Sequence, residues 1–182
     1  MENIRSADDI LEFWRGAGPQ RWFRHDQAFD GEIRGRFLAT HEAAARGELD
    51  DWQQTPTGAL ALLILLDQFP RNMFRGGPRA FATDLRARAV AGSALAHGFE
   101  RHVAASERQF FYLPFMHSEN LADQERCASL FREAGDSEGL RYAVMHADII
   151  RRYGRFPHRN RALGRETTAD EQAFLDGGGF QG

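Results

Sequence analysis

The sequence predicts an all-α fold: a single domain over residues 1–182, with seven or eight helices bundled around one buried central helix. Three observations lead there. The run Ala59–Leu66 is apolar on every face, and Leu and Ala dominate it while β-branched residues are nearly absent. Composition therefore selects helix where periodicity cannot, and a helix apolar all round needs other helices to cover it. Capping residues and glycines punctuate the rest of the chain at helical intervals, and no alternating strand pattern occurs.

Composition bounds the function. A chain of 182 residues with 42% hydrophobic content can bury a core without crosslinks, and Cys127, the lone cysteine, can form no internal disulfide. The net charge of −3 provides no overall attraction to nucleic acid or to an anionic membrane. No signal peptide is visible, and the apolar run is far shorter than the roughly 20 residues a bilayer span needs. A cytoplasmic location is the expectation. All 23 basic residues are Arg. Schiff-base chemistry, a lysine general base and a P-loop lysine are thereby excluded, and any anion must be held by guanidinium forks.

Taken in order, Ser6-Ala7-Asp8-Asp9 starts a helix whose apolar face is Ile10, Phe13 and Trp14, ended by Gly16 and Gly18-Pro19. Trp22 and Phe23 are expected as aromatic plugs. Asp26 caps a second helix that buries Phe29, Ile33 and Phe37 and stops at Gly47. Thr55-Pro56 opens the central helix. Pro70 restricts Phe69 to extended backbone, so the helix is expected to stop there and deliver a polar loop, DQFPRN. Asp67, in the last turn, opposes the helix dipole and calls for a partner among Arg71, Arg155 and Arg159. Thr83-Asp84 opens an Ala-rich helix ending near Gly98, and Pro114 implies a kink or break within FFYLPFM. Ser118 or Asn120 caps a helix to about Ala134, whose apolar positions are Leu121, Cys127, Leu130 and Phe131. Another runs from about Ser137 to Tyr153, with Leu140, Ala143, Val144, Ala147 and Ile150 on one arc and Tyr142, His146 and Tyr153 on its flank. Thr168 to Glu171 is a capping box for a short last helix that ends at Gly177-Gly178-Gly179.

Three polar motifs carry the candidate chemistry. From Arg151 to Arg165 the chain holds six Arg and no acid. Internal salt bridges and an anion site are both open readings. His117 and Glu119 flank a turn where both side chains can face one cleft, although capping of the next helix also accounts for that segment. His146 lies within the arc of its helix that faces the core, either as a hydrogen-bonded core histidine or as a base. His117, Glu119, His146 and His158 are feasible metal ligands, but their spacing matches no zinc motif, so neither a metal nor a cofactor is expected. Phe69-Pro-Arg-Asn72 and Phe156-Pro-His-Arg-Asn160 echo each other, by duplication or by convergent loop chemistry.

The motifs LDQFPRN (66–72), Phe110 to Glu119, and GRFPHRN (154–160), followed by LGR and TTADE, closely resemble the bacterial domain of unknown function 924. FDGEIRGRF and LEFW near the N-terminus fit as well, so the likeness spans essentially the whole chain. The resemblance implies a tetratricopeptide-like, all-helical fold and brings no established activity or catalytic residues. The favoured expectation is a pocket for a small carboxylate or phosphate ligand. Asp67, Arg71, Asn72, Tyr112, Arg155, Phe156, His158, Arg159 and Asn160 bind, and His117, Glu119 and His146 supply metal-independent proton transfer. The alternative is a non-catalytic adaptor binding an acidic peptide of a protein partner.

Overall fold

Ser6 accepts a hydrogen bond from the Asp9 amide while the Asp9 carboxylate accepts from the Ser6 amide, so the first helix, α1 (Ala7–Ala17), begins in a reciprocal cap. These coordinates are a computed structural model and describe residues 4–180. After a single turn, α2 (Pro19–Trp22), Asp26 caps α3 (Gln27–Arg46) through the amides of Ala28 and Phe29, and Gly47 closes it in the left-handed conformation. Phe29, Ile33 and Phe37 are wholly buried, as their spacing predicts. Trp22 stacks on Trp14 with ring centroids 5.7 Å apart and donates its indole N–H to the Trp14 carbonyl. Phe23, expected as a second plug, is 61% exposed. Its ring lies 6.3 Å from that of Phe110, which Trp22 already covers at 5.0 Å, so only one face of Phe23 finds a neighbour.

The central helix departs most from expectation. It opens at Thr55, which caps α4 (Pro56–Leu63), and then runs on through a wider π turn (Ile64–Gln68) into α5 (Phe69–Met73). Pro70 therefore does not end the helix, Phe69 is helical (φ −58, ψ −38), and DQFPRN is helix, not loop. The physical reason lies in the carbonyls. A proline inside a helix has no N–H to donate and its ring crowds the carbonyl four residues back. Here the Phe69 amide reaches back five residues to Ile64, which opens the turn. The carbonyls of Leu65 and Leu66, which Pro70 cannot serve, are taken by His41 Nδ1 (2.8 Å) and Thr83 Oγ1 (2.6 Å), and Arg71 Nη1 donates to the Asp67 carbonyl at 2.6 Å. His41 sits on α3, and Thr83 directly precedes α6 (Asp84–Ala96).

The chain forms two compact units, Met1–Arg75 with Arg79–Pro114, and Gly76–Pro78 with Phe115–Gly182. In the first, α4 packs against α1 and α6, while the π turn lies on α3. Every residue from Ala59 to Leu66 is at most 1% exposed. Ile64→Ala is therefore expected to cost ~2–5 kcal/mol in chemical denaturation, as other large-to-small core changes do. A loss below about half a kilocalorie per mole would be surface behaviour and would contradict this layout.

In the second unit α8 (Leu121–Glu133), capped by Asn120, packs against α9 (Ser137–Tyr153). Between units in sequence lies one short turn, α7 (Leu113–Met116), with Pro114 in its first positions, where a missing N–H costs nothing. Gly139 lets the α8–α9 pair close, since a Cβ there would overlap the Phe131 ring. Gln124, wholly buried, donates to the carbonyls of Met116 and Ser118. On α9 the buried set is Ala143, His146, Ala147, Ile149 and Ile150, whereas Val144 is 43% exposed. The apolar arc is thus turned from the expected one. Two partners cover α9 from different directions: α8, and the aromatic cluster of Phe156, Phe174 and Phe180. Thr168 and Glu171 form the predicted capping box of α10 (Ala169–Asp176).

Among the described residues the structure is all-α, with seven α-helical segments of eight residues or more and no strand. No helix among them is long and apolar enough to cross a membrane.

Candidate functional site

Gly154, left-handed at φ 69, stops α9 and turns the chain into Arg155 and Phe156. Phe156 is extended (φ −90, ψ 109), as the following proline requires, and Pro157–Arg159 form one 3₁₀ turn. The two Phe-Pro echoes therefore differ: Phe69 is helical and Phe156 is not. Extended backbone at Phe156 takes its N–H out of helical pairing, while its C=O accepts the Arg159 amide of the 3₁₀ turn at 3.1 Å. Glu119 Oε1 accepts the N–H at 2.8 Å, and Arg165 Nη2 donates to the carbonyl at 3.1 Å. Arg165 also forks both oxygens of Glu119 (2.7 and 3.0 Å) and reaches Asn160 Oδ1.

A second fork repeats the device. Arg155 grips Glu171 at 2.6 and 2.9 Å, and Asn160, wholly buried, donates to the same carboxylate. Arg155, with the Thr168 amide, holds Glu171 down to about 2 against the opposing effect of burial. Burial likewise works against ionised Glu119, but Arg165 and the Phe156 N–H outweigh it and lower its pKa. Both carboxylates are fixed anions.

Within this frame three motif residues meet. His146 is 5% exposed and donates from Nδ1 to the Tyr142 carbonyl at 2.8 Å, which leaves its Nε2 as the lone-pair nitrogen. Its ring stands edge-on to Phe156, centroids 5.6 Å apart. Arg159, also buried, lays its guanidinium 4.6 Å over the Phe156 ring and donates to the His117 carbonyl at 2.9 Å. His158 packs on the same Phe156 ring at 5.5 Å. Burial pushes the His146 pKa down to about 4; the Tyr142 bond opposes this, while His117 and Arg159 lower it further. A neutral imidazole thus sits beside two cationic or protonatable groups.

The second unit brings together His117, Glu119, His146, Arg155, Phe156, His158, Arg159 and Asn160. The remaining candidates lie in the first unit. Asp67, 1% exposed, pairs with Arg71 at 3.3 Å and accepts from Gln68. Arg71 forks Asp84 at 2.9 and 3.1 Å, and Asn72 donates to Asp30. These bonds tie the proline-bearing helix to α3 and α6. Tyr112 is buried in the same unit. Among the described residues no group of three or more His, Cys, Asp or Glu is placed to hold a metal ion.

A sequence profile described as "Bacterial protein of unknown function (DUF924)" matches residues 10–179. The chain belongs to the DUF924 family. A solved structure titled as a protein of unknown function from Agrobacterium tumefaciens is 48% identical, with a TM-score of 0.91 over 94% of this chain and 97% of that one. A search of curated proteins found no match. In this DUF924 chain sequence reasoning passed over three residues of the cluster. Arg165 was visible within the LGR motif and Glu171 as a helix cap, but their role as partners in two forks depends on which acids the loop meets. Phe180 follows a glycine run, and its ring stands 4.5 Å from that of His146.

Proposed function

We propose that this protein binds a small anion, a carboxylate or phosphate group, at His117, His146 and Arg159 of the second unit. The supporting observation is the seating of Arg159. Its buried guanidinium rests on Phe156 and on the His117 carbonyl, close enough to His146 to oppose a second positive charge there. The Glu119 carboxylate offsets part of the Arg159 charge, and an anion bound beside the two histidines adds to that offset. Arg159 supplies the charge, and His146 Nε2 and His117 are the groups through which protons move to or from a ligand. Glu119 and Glu171, each in an Arg fork, hold the frame; Glu119 is assigned to positioning in place of proton transfer.

The pH dependence of binding tests this. Bound anion favours the imidazolium form and raises the pKa of His146 from about 4, so the complex takes up a proton. Binding must then tighten as pH falls from 7 towards 5, by up to about tenfold per pH unit where one proton is taken up. Sulfate is the probe for calorimetry, because its charge is constant over that range. Arg159→Ala should abolish binding and His146→Gln should flatten the slope. Absence of sulfate binding at both pH values, or a slope that His146→Gln leaves unchanged, would sink the reading.

A further inference from the structure

Phe180 is half-buried and makes no hydrogen bond through its side chain, yet it is placed with care. The Gly178 amide bonds to the Leu175 carbonyl and the Gly179 amide to the Phe174 carbonyl, with Gly178 left-handed at φ 82. A Cβ on Gly179 would stand 2.6 Å from the Phe174 ring, so only glycine permits this turn. The turn lays the Phe180 ring edge-on to His146 at 4.5 Å and to His158 at 5.1 Å. The same ring borders a cleft of about 510 Å³ whose apolar lining includes Val144, Ile149 and Phe174 and whose charged lining is Arg141, Asp148 and Arg152. The exposure of Val144, which no core packing explains, falls within this cleft.

A largely apolar cleft and the Arg159–histidine cluster thus share one ring, which is held by packing on Ile149, Ile150 and Phe156 and by the two histidine rings, with no polar bond. We infer that the ligand of the site is an amphipathic carboxylate, with its head at Arg159 and the histidines and its apolar body in the cleft, and that Phe180 swings aside to join the two. This rests on the anion-site reading above. The glycine turn supplies the hinge, since Gly177, Gly178 and Gly179 carry no side chain to resist rotation. The apolar part of the cleft suits an alkyl chain, and Arg159 suits its carboxylate.

The experiment compares octanoate, acetate and sulfate by calorimetry at pH 7 on the whole chain and on Phe180→Ala and Phe180→Leu, each first checked for an unchanged melting transition. Octanoate should bind at least about tenfold more tightly than acetate, because each buried methylene is worth roughly fourfold. Phe180→Ala should tighten octanoate several-fold relative to sulfate, with Phe180→Leu between the two. Sulfate binding together with octanoate no tighter than acetate, or untouched by either variant, overturns this inference and leaves the anion site standing. Failure of both sulfate and octanoate to bind overturns the anion site as well.

Discussion

Arg71→Ala is expected to destabilise the first unit by ~3–5 kcal/mol, because it removes a cationic partner from a buried carboxylate. Asp67 is 1% exposed, and Arg71 stands 3.3 Å from its carboxylate. Burial alone would lower the Arg71 pKa, but Asp67 and then Asp84 outweigh it and raise it, so the guanidinium stays charged. The same side chain donates to the Asp67 carbonyl and forks Asp84 at the start of α6. One truncation removes all three. Tryptophan fluorescence during urea unfolding is the measurement, since Trp14, Trp22 and Trp52 all lie in the first unit. Adding Asp67→Asn should recover part of the loss, because a buried amide needs no counter-charge. A single-variant loss under about 1 kcal/mol, typical of a solvated ion pair, would remove Asp67 from the interior.

Phe156→Ala is expected to cost ~3–5 kcal/mol in the second unit, as truncation of a fully buried aromatic ring does. Phe156 is 0% exposed and forms the core of that unit with Ile149 and Ile150. Its ring also floors the candidate site, under Arg159 and against His146 and His158. Sulfate binding should therefore disappear along with the stability. Helical circular dichroism at increasing denaturant reads the first effect, because the second unit has no tryptophan. Phe156→Leu should keep much of the stability while still weakening sulfate, since it restores volume but not a flat surface for a guanidinium. A near-wild-type transition in Phe156→Ala would mean that the loop does not rest on α9.

Much of the site was visible as motifs but not as an arrangement. His146 was legible because its position on a 3.6-residue helix puts it towards a core, and the carbonyl bond to Tyr142 is the local solution available to any buried helical histidine. The surplus of arginine after α9 was equally plain. Which acid each arginine takes was not: Arg155 goes to Glu171 and Arg165 to Glu119, separated by 16 and 46 positions in the chain. Charge pairing at such separations is decided by where helices end in space. Phe180 offered only an aromatic residue after glycines, with nothing to mark its contact with His146.

By itself, the sequence determined the helical class and most helix starts and stops, because these depend on groups a few residues apart. Ser6 with Asp9, Asp26 with Phe29, Thr55 with Gly58 and Thr168 with Glu171 are local bonds, and each is present. It also determined the burial of Ala59–Leu66, since so apolar a run has no favourable exposed face. Only the tertiary structure decided what happens at Pro70. Local rules end a helix there, because an interior proline leaves carbonyls without donors. His41 and Thr83, distant in sequence, supply those donors, so the helix continues through a π turn. The identical Phe-Pro pair at Phe156 meets Glu119 and Arg165 instead, which satisfy extended backbone, and there the chain leaves its helix. The same dipeptide takes two conformations because hydrogen-bond partners from elsewhere in the fold, not the dipeptide's own preference, satisfy the backbone it leaves open.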